Sequence, residues 1–214
     1  MKLASILRPA QGYLVQGLLV LLACAAGAAH AAEVSAPVML VATDRLAGSG
    51  YDETVLIAAP LRNGASIGFI INRPTQVKLG NLFPDHAPSR KVVDHVYFGG
   101  PVLSESLFVI ARRTPEGKGA GGEAIPLASG LVLILDGATV DRVIETMPND
   151  ARYFAGLVAW RPGGLDEEIR AGAWQVLPAD VKAVFHANPE GLWKGLHRDE
   201  EGGGRAVRVR QERR

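Results

Sequence analysis

Apolar residues in this chain fall into two patterns. Short, nearly unbroken runs read as strands: Val38 to Val41, Thr54 to Ala59, Ser66 to Ile71, His95 to Phe98 and Leu131 to Leu135. Helical spacing appears later, where Val140, Val143, Ile144 and Met147 predict a helix opened by Thr139. A short helix is predicted around Lys78 to Phe83. Ser106 to Arg112 and Glu123 to Leu127 read as a hairpin around the glycine-rich stretch Glu116 to Gly122.

The densest stretch runs from Gly156 to Asp180. Leu157-Val158-Ala159 predicts a strand ending on Trp160, and Arg161-Pro162-Gly163-Gly164 turns the chain. A helix from about Leu165 carries Asp166, Glu167 and Glu168 in its first turn, where acids suit the positive end of the helix dipole, and Gly172 ends it. Trp174-Gln175-Val176 predicts another strand, and Asp180 caps the helix after it. Asn188-Pro189-Glu190 starts a last helix with Leu192, Trp193 and Leu196 as its apolar face. Strands in runs with late, clustered helices indicate α+β with a mainly antiparallel sheet.

This stretch resembles the AlgH/YqgE family, at Gly156, Trp160, Gly163, Leu165, Glu168, Ala173, Trp174, Pro178, Ala179 and Asp180. Two further blocks agree, Gly68 to Pro74 and Phe98 to Val102, so the similarity covers most of Val38 to Trp193. The resemblance implies a split, barrel-like sheet flanked by helices, and a family often labelled transcriptional regulators. The chain departs from the family's pattern at Thr43-Asp44, in the loop at Ala47 to Gly50, and at Ala58-Ala59-Pro60, where members carry a Cys-Glu-His-like ending.

The N-terminus changes the picture. Lys2 and Arg8 precede an uncharged run from Tyr13 to Ala23, and Ala29-His30-Ala31 offers a small-x-small cleavage site before Ala32. Residues 1–31 therefore read as a secretory signal, which predicts an exported, periplasmic protein. Cys24, the sole cysteine, ends Leu21-Leu22-Ala23-Cys24 in a pattern resembling a bacterial lipobox. Soluble and lipid-anchored forms both fit. The rest reads as one domain over 32–197 and a charged, disordered tail over 198–214.

Net charge is +1 over 214 residues. The signal carries Lys2 and Arg8 and no acid, and residues 203–214 hold five Arg and one Glu, which leaves the body from Ala32 to Gly202 at −5. Such a body does not suit sequence-specific nucleic-acid binding. The basic tail and a lipidated Cys24 are two routes to a membrane surface.

Catalytic chemistry is sparse. Gly64-Ala65-Ser66-Ile67-Gly68 matches G-x-S-x-G, but a turn precedes Ser66 and a strand follows it, the reverse of a nucleophile elbow. Asp166 and Glu168 offer a carboxylate pair, the other basis for a hydrolase reading. His86, His95, His186 and His197 lack paired zinc-ligand spacing, and no cofactor pattern is present. The reading is a non-enzymatic protein that binds a partner protein or small ligand. Its expected site is Asn72, Arg73, Gly99, Gly100, Trp160 and Glu168, where apolar strands end in polar or backbone-exposed corners.

Overall fold

The computed structural model describes residues 34–113, 124–128 and 130–201. The signal-like segment, Cys24, the glycine-rich stretch at 116–122 and the tail beyond Glu201 lie outside the described residues.

In chain order the strands are β1 (Val38–Ala42), β2 (Val55–Pro60), β3 (Ser66–Ile70), β4 (Pro74–Lys78), β5 (His95–Phe98), β6 (Val102–Arg112), β7 (Ala124–Ala128), β8 (Leu131–Ile134), β9 (Ala151–Trp160) and β10 (Trp174–Pro178). The helices are α1 (Leu79–Leu82), α2 (Gly137–Thr146), α3 (Gly164–Arg170), α4 (Val181–Val184) and α5 (Leu192–Glu201). The strands run β10-β1-β2-β3-β9-β6-β8-β7, with β5 also on β9 and β4 on β5. Pairing is antiparallel throughout this path, and β5 on β9 is parallel. The result is an α+β fold with a curled half-barrel sheet.

The curl explains the unbroken apolar runs. Met39, Val41, Val55, Ile57, Phe69 and Ile71 point inward to a core shared with Phe108, Ile110, Leu133 and Phe154. The alternate residues Leu40, Leu56, Ala58 and Ile70 point outward, yet are covered by Trp160, Leu165 and Trp174. On the other half, Val109, Ala111, Val132, Ile134 and Tyr153 are roofed by Val140, Val143 and Ile144 of α2. Strands buried on both faces lose the apolar–polar alternation of a half-exposed sheet.

Several expected boundaries change. The cap of α2 is Asp136, whose side chain accepts from Thr139 N. Ser106–Arg112 and the strand after the glycine-rich stretch do not pair as a hairpin, because β8 lies between β6 and β7. The run Leu131–Ile134 is buried on both faces and takes the central place. Helix α5 continues to Glu201, so the charged tail begins as helix rather than at residue 198. The expected short strand at Leu157–Ala159 is the end of the ten-residue β9, which crosses both halves of the sheet. Gly156, with φ 72°, bends β9 rather than starting it.

Other local signals hold as read. Gly172 N bonds Ile169 O at 2.9 Å and Ala173 N bonds Glu168 O at 3.0 Å, which closes α3 in a Schellman arrangement around a φ of 74°. Asp180 caps α4 by accepting from Lys182 N at 2.9 Å, and Asn188 accepts from Gly191 N before α5.

Two core tyrosines give the fold an alkaline limit. Burial raises the Tyr153 phenol well above its usual value. Burial likewise raises Tyr97, with Arg152 opposing and Asp94 adding to the shift. The folded state therefore keeps protons that the unfolded chain releases near pH 10. That stability is fully present below the unfolded value and is lost as pH climbs toward the folded values. Urea midpoints at pH 8 and pH 10.5 should fall further for the wild type than for Tyr153→Phe. Equal falls would rule out this linkage.

Candidate functional site

The residues singled out in the sequence separate into three groups. Trp160 and Trp174 are buried, on β9 and β10, and the side chain of Glu168 bridges them. Its Oε2 accepts from Trp160 Nε1 at 3.0 Å and from Trp174 Nε1 at 2.7 Å. Tyr51 meets Trp174 edge-on at 6.0 Å between ring centroids. Burial first, and then the charge of Glu168, raise the Tyr51 phenol above its usual value, with Arg73 opposing. Gly68 makes room beneath Trp160, since a Cβ there would sit 2.9 Å from Cζ3. Asp166, the other member of the carboxylate pair, accepts from Val34 N at 3.0 Å. Both acids thus accept N–H bonds from outside α3 and tie it to neighbouring elements, and only Asp166 of the two lies in the first turn of the helix.

Asn72 and Arg73 peg the loop between β1 and β2. Buried Asn72 accepts from Val55 N and donates to Glu53 O, each at 2.9 Å. Arg73 donates to Gly50 O and Asp52 O, each at 2.8 Å. Ser66 is buried at the first position of β3, opposite Trp160 on β9.

Gly99 and Gly100 lie where the chain crosses Gly156. A Cβ on Gly99 would collide with Gly156 O, one on Gly100 with the Leu157 carbonyl, and one on Gly156 with Gly100 O. Gly99 also donates to Ala155 O at 2.9 Å and accepts from Ile70 N at 3.0 Å, knitting β3 to β9. These glycines form a crossing of bare backbone in which Gly99 and Gly100 are buried.

What the crossing produces lies next door. Opposite Gly156, β6 slips register between Val102, paired with Leu157, and Leu107, paired with Ala155. Residues 103–106 bulge outward, and Leu103 is left 60% exposed with φ 53°. A left-handed leucine costs roughly 1–2 kcal/mol, so the surroundings hold it there. Phe83, Leu82 and Val77 are also exposed, and with Leu103 they edge two adjoining grooves. The larger, about 750 Å³, lies between α2 and the bulge and is lined by Phe83, Leu103, Leu107, Val140 and Ile144, with His86 and Asp141 among its polar groups. Sequence reasoning missed this place. The available signal was the apolar pair Val102-Leu103 directly after the Gly-Gly-Pro corner. Among the described residues, His86, Asp141 and Glu145 form one group of metal-ligand type near this groove.

Residues 39–202 match the model of a protein family described as AlgH-like. A UPF0301 protein of Streptomyces coelicolor is 33% identical over 171 residues, covering 77% of this chain and 86% of that protein. A UPF0301 protein of Thermobifida fusca is 30% identical over 77% of this chain and 86% of its own length. Among solved structures, a crystal structure from Corynebacterium diphtheriae superposes with TM-score 0.62 at 25% identity, over 77% of this chain and 86% of that one. The solution structure of AlgH from Pseudomonas aeruginosa has TM-score 0.60 at 22% identity, over 83% and 94%.

Proposed function

This chain belongs to the AlgH-like family, and from that premise we propose an exported, non-enzymatic protein that binds an amphiphilic small molecule in the groove between α2 and the β6 bulge. The observation that carries this reading is Leu103, an exposed apolar side chain held in a strained conformation at the groove's edge. Strain kept at an exposed residue serves no packing purpose and favours a role in recognition. A volume of about 750 Å³, apolar walls and a few polar groups on one side suit a small ligand. Asn72, Glu168 and the Gly99–Gly100 corner spend their polar atoms or their space inside the fold, so recognition is assigned to the groove instead.

Titration of the mature chain with a fluorescent apolar anion such as anilinonaphthalene sulfonate tests this. Leu103→Asn keeps a residue tolerant of positive φ but removes the apolar surface. It should weaken the probe roughly fivefold or more, while stability stays level or rises by up to about 1 kcal/mol. Phe83→Ala should weaken it similarly. Unchanged affinity in both variants would sink the groove reading.

Export is supported by the Lys2/Arg8, Tyr13–Ala23 and Ala29-His30-Ala31 pattern, with Cys24 as the alternative processing point. The −5 body argues against direct sequence-specific DNA contact, so the regulatory label is not extended to this protein. Fractionation and the mass of the mature N-terminus separate the forms: a free Ala32 means soluble, a lipid-modified Cys24 means tethered. Unprocessed protein in the cytoplasm that binds a specific promoter at physiological salt would overturn this part.

A further inference from the structure

We propose that His86, Asp141 and Glu145 bind a divalent transition-metal ion, with Zn²⁺ as the best fit. The three side chains come from two places: His86 from the loop after α1, and Asp141 and Glu145 from α2. One nitrogen or oxygen from each lies within 4.8 Å of the other two, and His86 Nε2 is 3.5 Å from Asp141 Oδ1. Asp141 and Glu145 are four residues apart on one helix, so both carboxylates project from the same face. The two acids are exposed, and metal binding requires their side chains to rotate inward from these separations to the roughly 2.0–2.2 Å of ordinary ligation.

The histidine is preset for this role. Its Nδ1 lies 2.7 Å from the hydroxyl of Ser89, a fully buried residue, which turns Nε2 toward Asp141. When Nδ1–H donates to that hydroxyl, Nε2 carries the free lone pair a metal requires. A ligating imidazole anchored through its other nitrogen is the usual supporting arrangement at metal sites. One imidazole and two carboxylates suit Zn²⁺, with Mn²⁺ or Fe²⁺ as poorer fits, and exclude a preference for thiophilic Cu⁺. His86 and Asp141 also line the groove of about 750 Å³, so a metal held by them would face that groove. Three protein donors leave the metal's remaining positions open to water or a ligand's polar head.

The sequence hid this site, because no two of its donors show the spacing of paired zinc ligands except the i, i+4 acids, a pattern common on solvated helices. The ordinary alternative is a surface ion pair between His86 and Asp141.

Calorimetric titration of the untagged mature chain with Zn²⁺ alone, with Co²⁺ absorption as a second readout, decides between them. A single site is expected, and His86→Ala and Asp141→Asn should each weaken it at least tenfold, whereas His197→Ala should leave it unchanged. Ser89→Ala should weaken it about tenfold with the histidine still present, an effect no ion pair produces. A melting scan of each variant without metal shows that the fold is kept. Absence of saturable binding at millimolar Zn²⁺, or equal affinity in Asp141→Asn, would overturn the proposal. Because the titration uses metal alone, its failure leaves the groove reading untouched, and the apolar-probe experiment fails or succeeds without it.

Discussion

Replacing Gly156 by alanine is expected to cost on the order of 4 kcal/mol, a large part of the 5–15 kcal/mol that holds a typical domain together. Two penalties coincide there. With φ at 72°, any L side chain is strained by roughly 1–2 kcal/mol. In addition, the new Cβ would collide with Gly100 O and lie 3.0 Å from Val102 O and 3.1 Å from Ser104 Cα. All three neighbours are backbone, so no side chain can swing away, and β6 or the Gly99–Gly100 corner must move. Gly48→Ala separates the two terms, because Gly48 has φ 74° and nothing within 4 Å of a Cβ. It should lose only about 1–2 kcal/mol. Urea unfolding of both variants gives the comparison, and a Gly156→Ala loss no larger than that of Gly48→Ala would show that the crossing tolerates a side chain. Any folded Gly156→Ala protein should also bind the apolar probe poorly, since the same atoms set the β6 bulge that presents Leu103.

Arg152→Met should cost about 3 kcal/mol, which for a chain of this size lowers the melting temperature by roughly 6–12 °C. Arg152 is only 7% exposed and donates to Val184 O at 2.5 Å, His186 O at 2.7 Å and Asp94 Oδ2 at 3.0 Å. Its guanidinium lies 4.7 Å over the Tyr97 ring. The two carbonyls end α4, so this one side chain fastens the C-terminal helices to the middle of the sheet. Methionine fills much of the volume but strands two acceptors and a carboxylate. Arg152→Lys should recover little, because a single ammonium cannot span three acceptors in a fixed fork. Hydrogen exchange through residues 181–191 should quicken in both variants. Unchanged exchange there, together with a melting temperature within 2 °C of wild type, would remove Arg152 from this role.

Neither residue drew notice in the sequence for these reasons. Arg152 stands before the apolar run Tyr153-Phe154-Ala155, and only the fold brings the carbonyls of Val184 and His186 to it. Gly156 stands just before the expected strand and is one of the resembling positions, but a glycine opening a strand and one bending a long strand look alike without the partner backbone. Trp160 and Glu168 belong to the expected site and Trp174 to the strand that follows, and one carboxylate oxygen of Glu168 accepts from both indoles. The groove left a fainter trace, since Val102-Leu103 lies between the Gly-Gly-Pro corner and the strand expected from Ser106, and only the register slip of β6 shows Leu103 exposed.

Local elements were readable from the chain alone: the apolar runs of the sheet, the acidic start and Gly172 stop of α3, and the Asp180 and Asn188 caps. Those features depend on neighbours within a few residues, through backbone geometry and short-range hydrogen bonds. The family was readable too, because three separate blocks carry the resemblance. Strand order and long-range contacts come only with the folded chain: that β8 separates β6 from β7, that β9 joins β3 to β6, and that His86 faces Asp141. These depend on strand order and on contacts between residues far apart in the chain. Many pairings bury the same apolar runs about equally well, and it is the close packing of bare backbone at Gly99, Gly100 and Gly156 that admits this one.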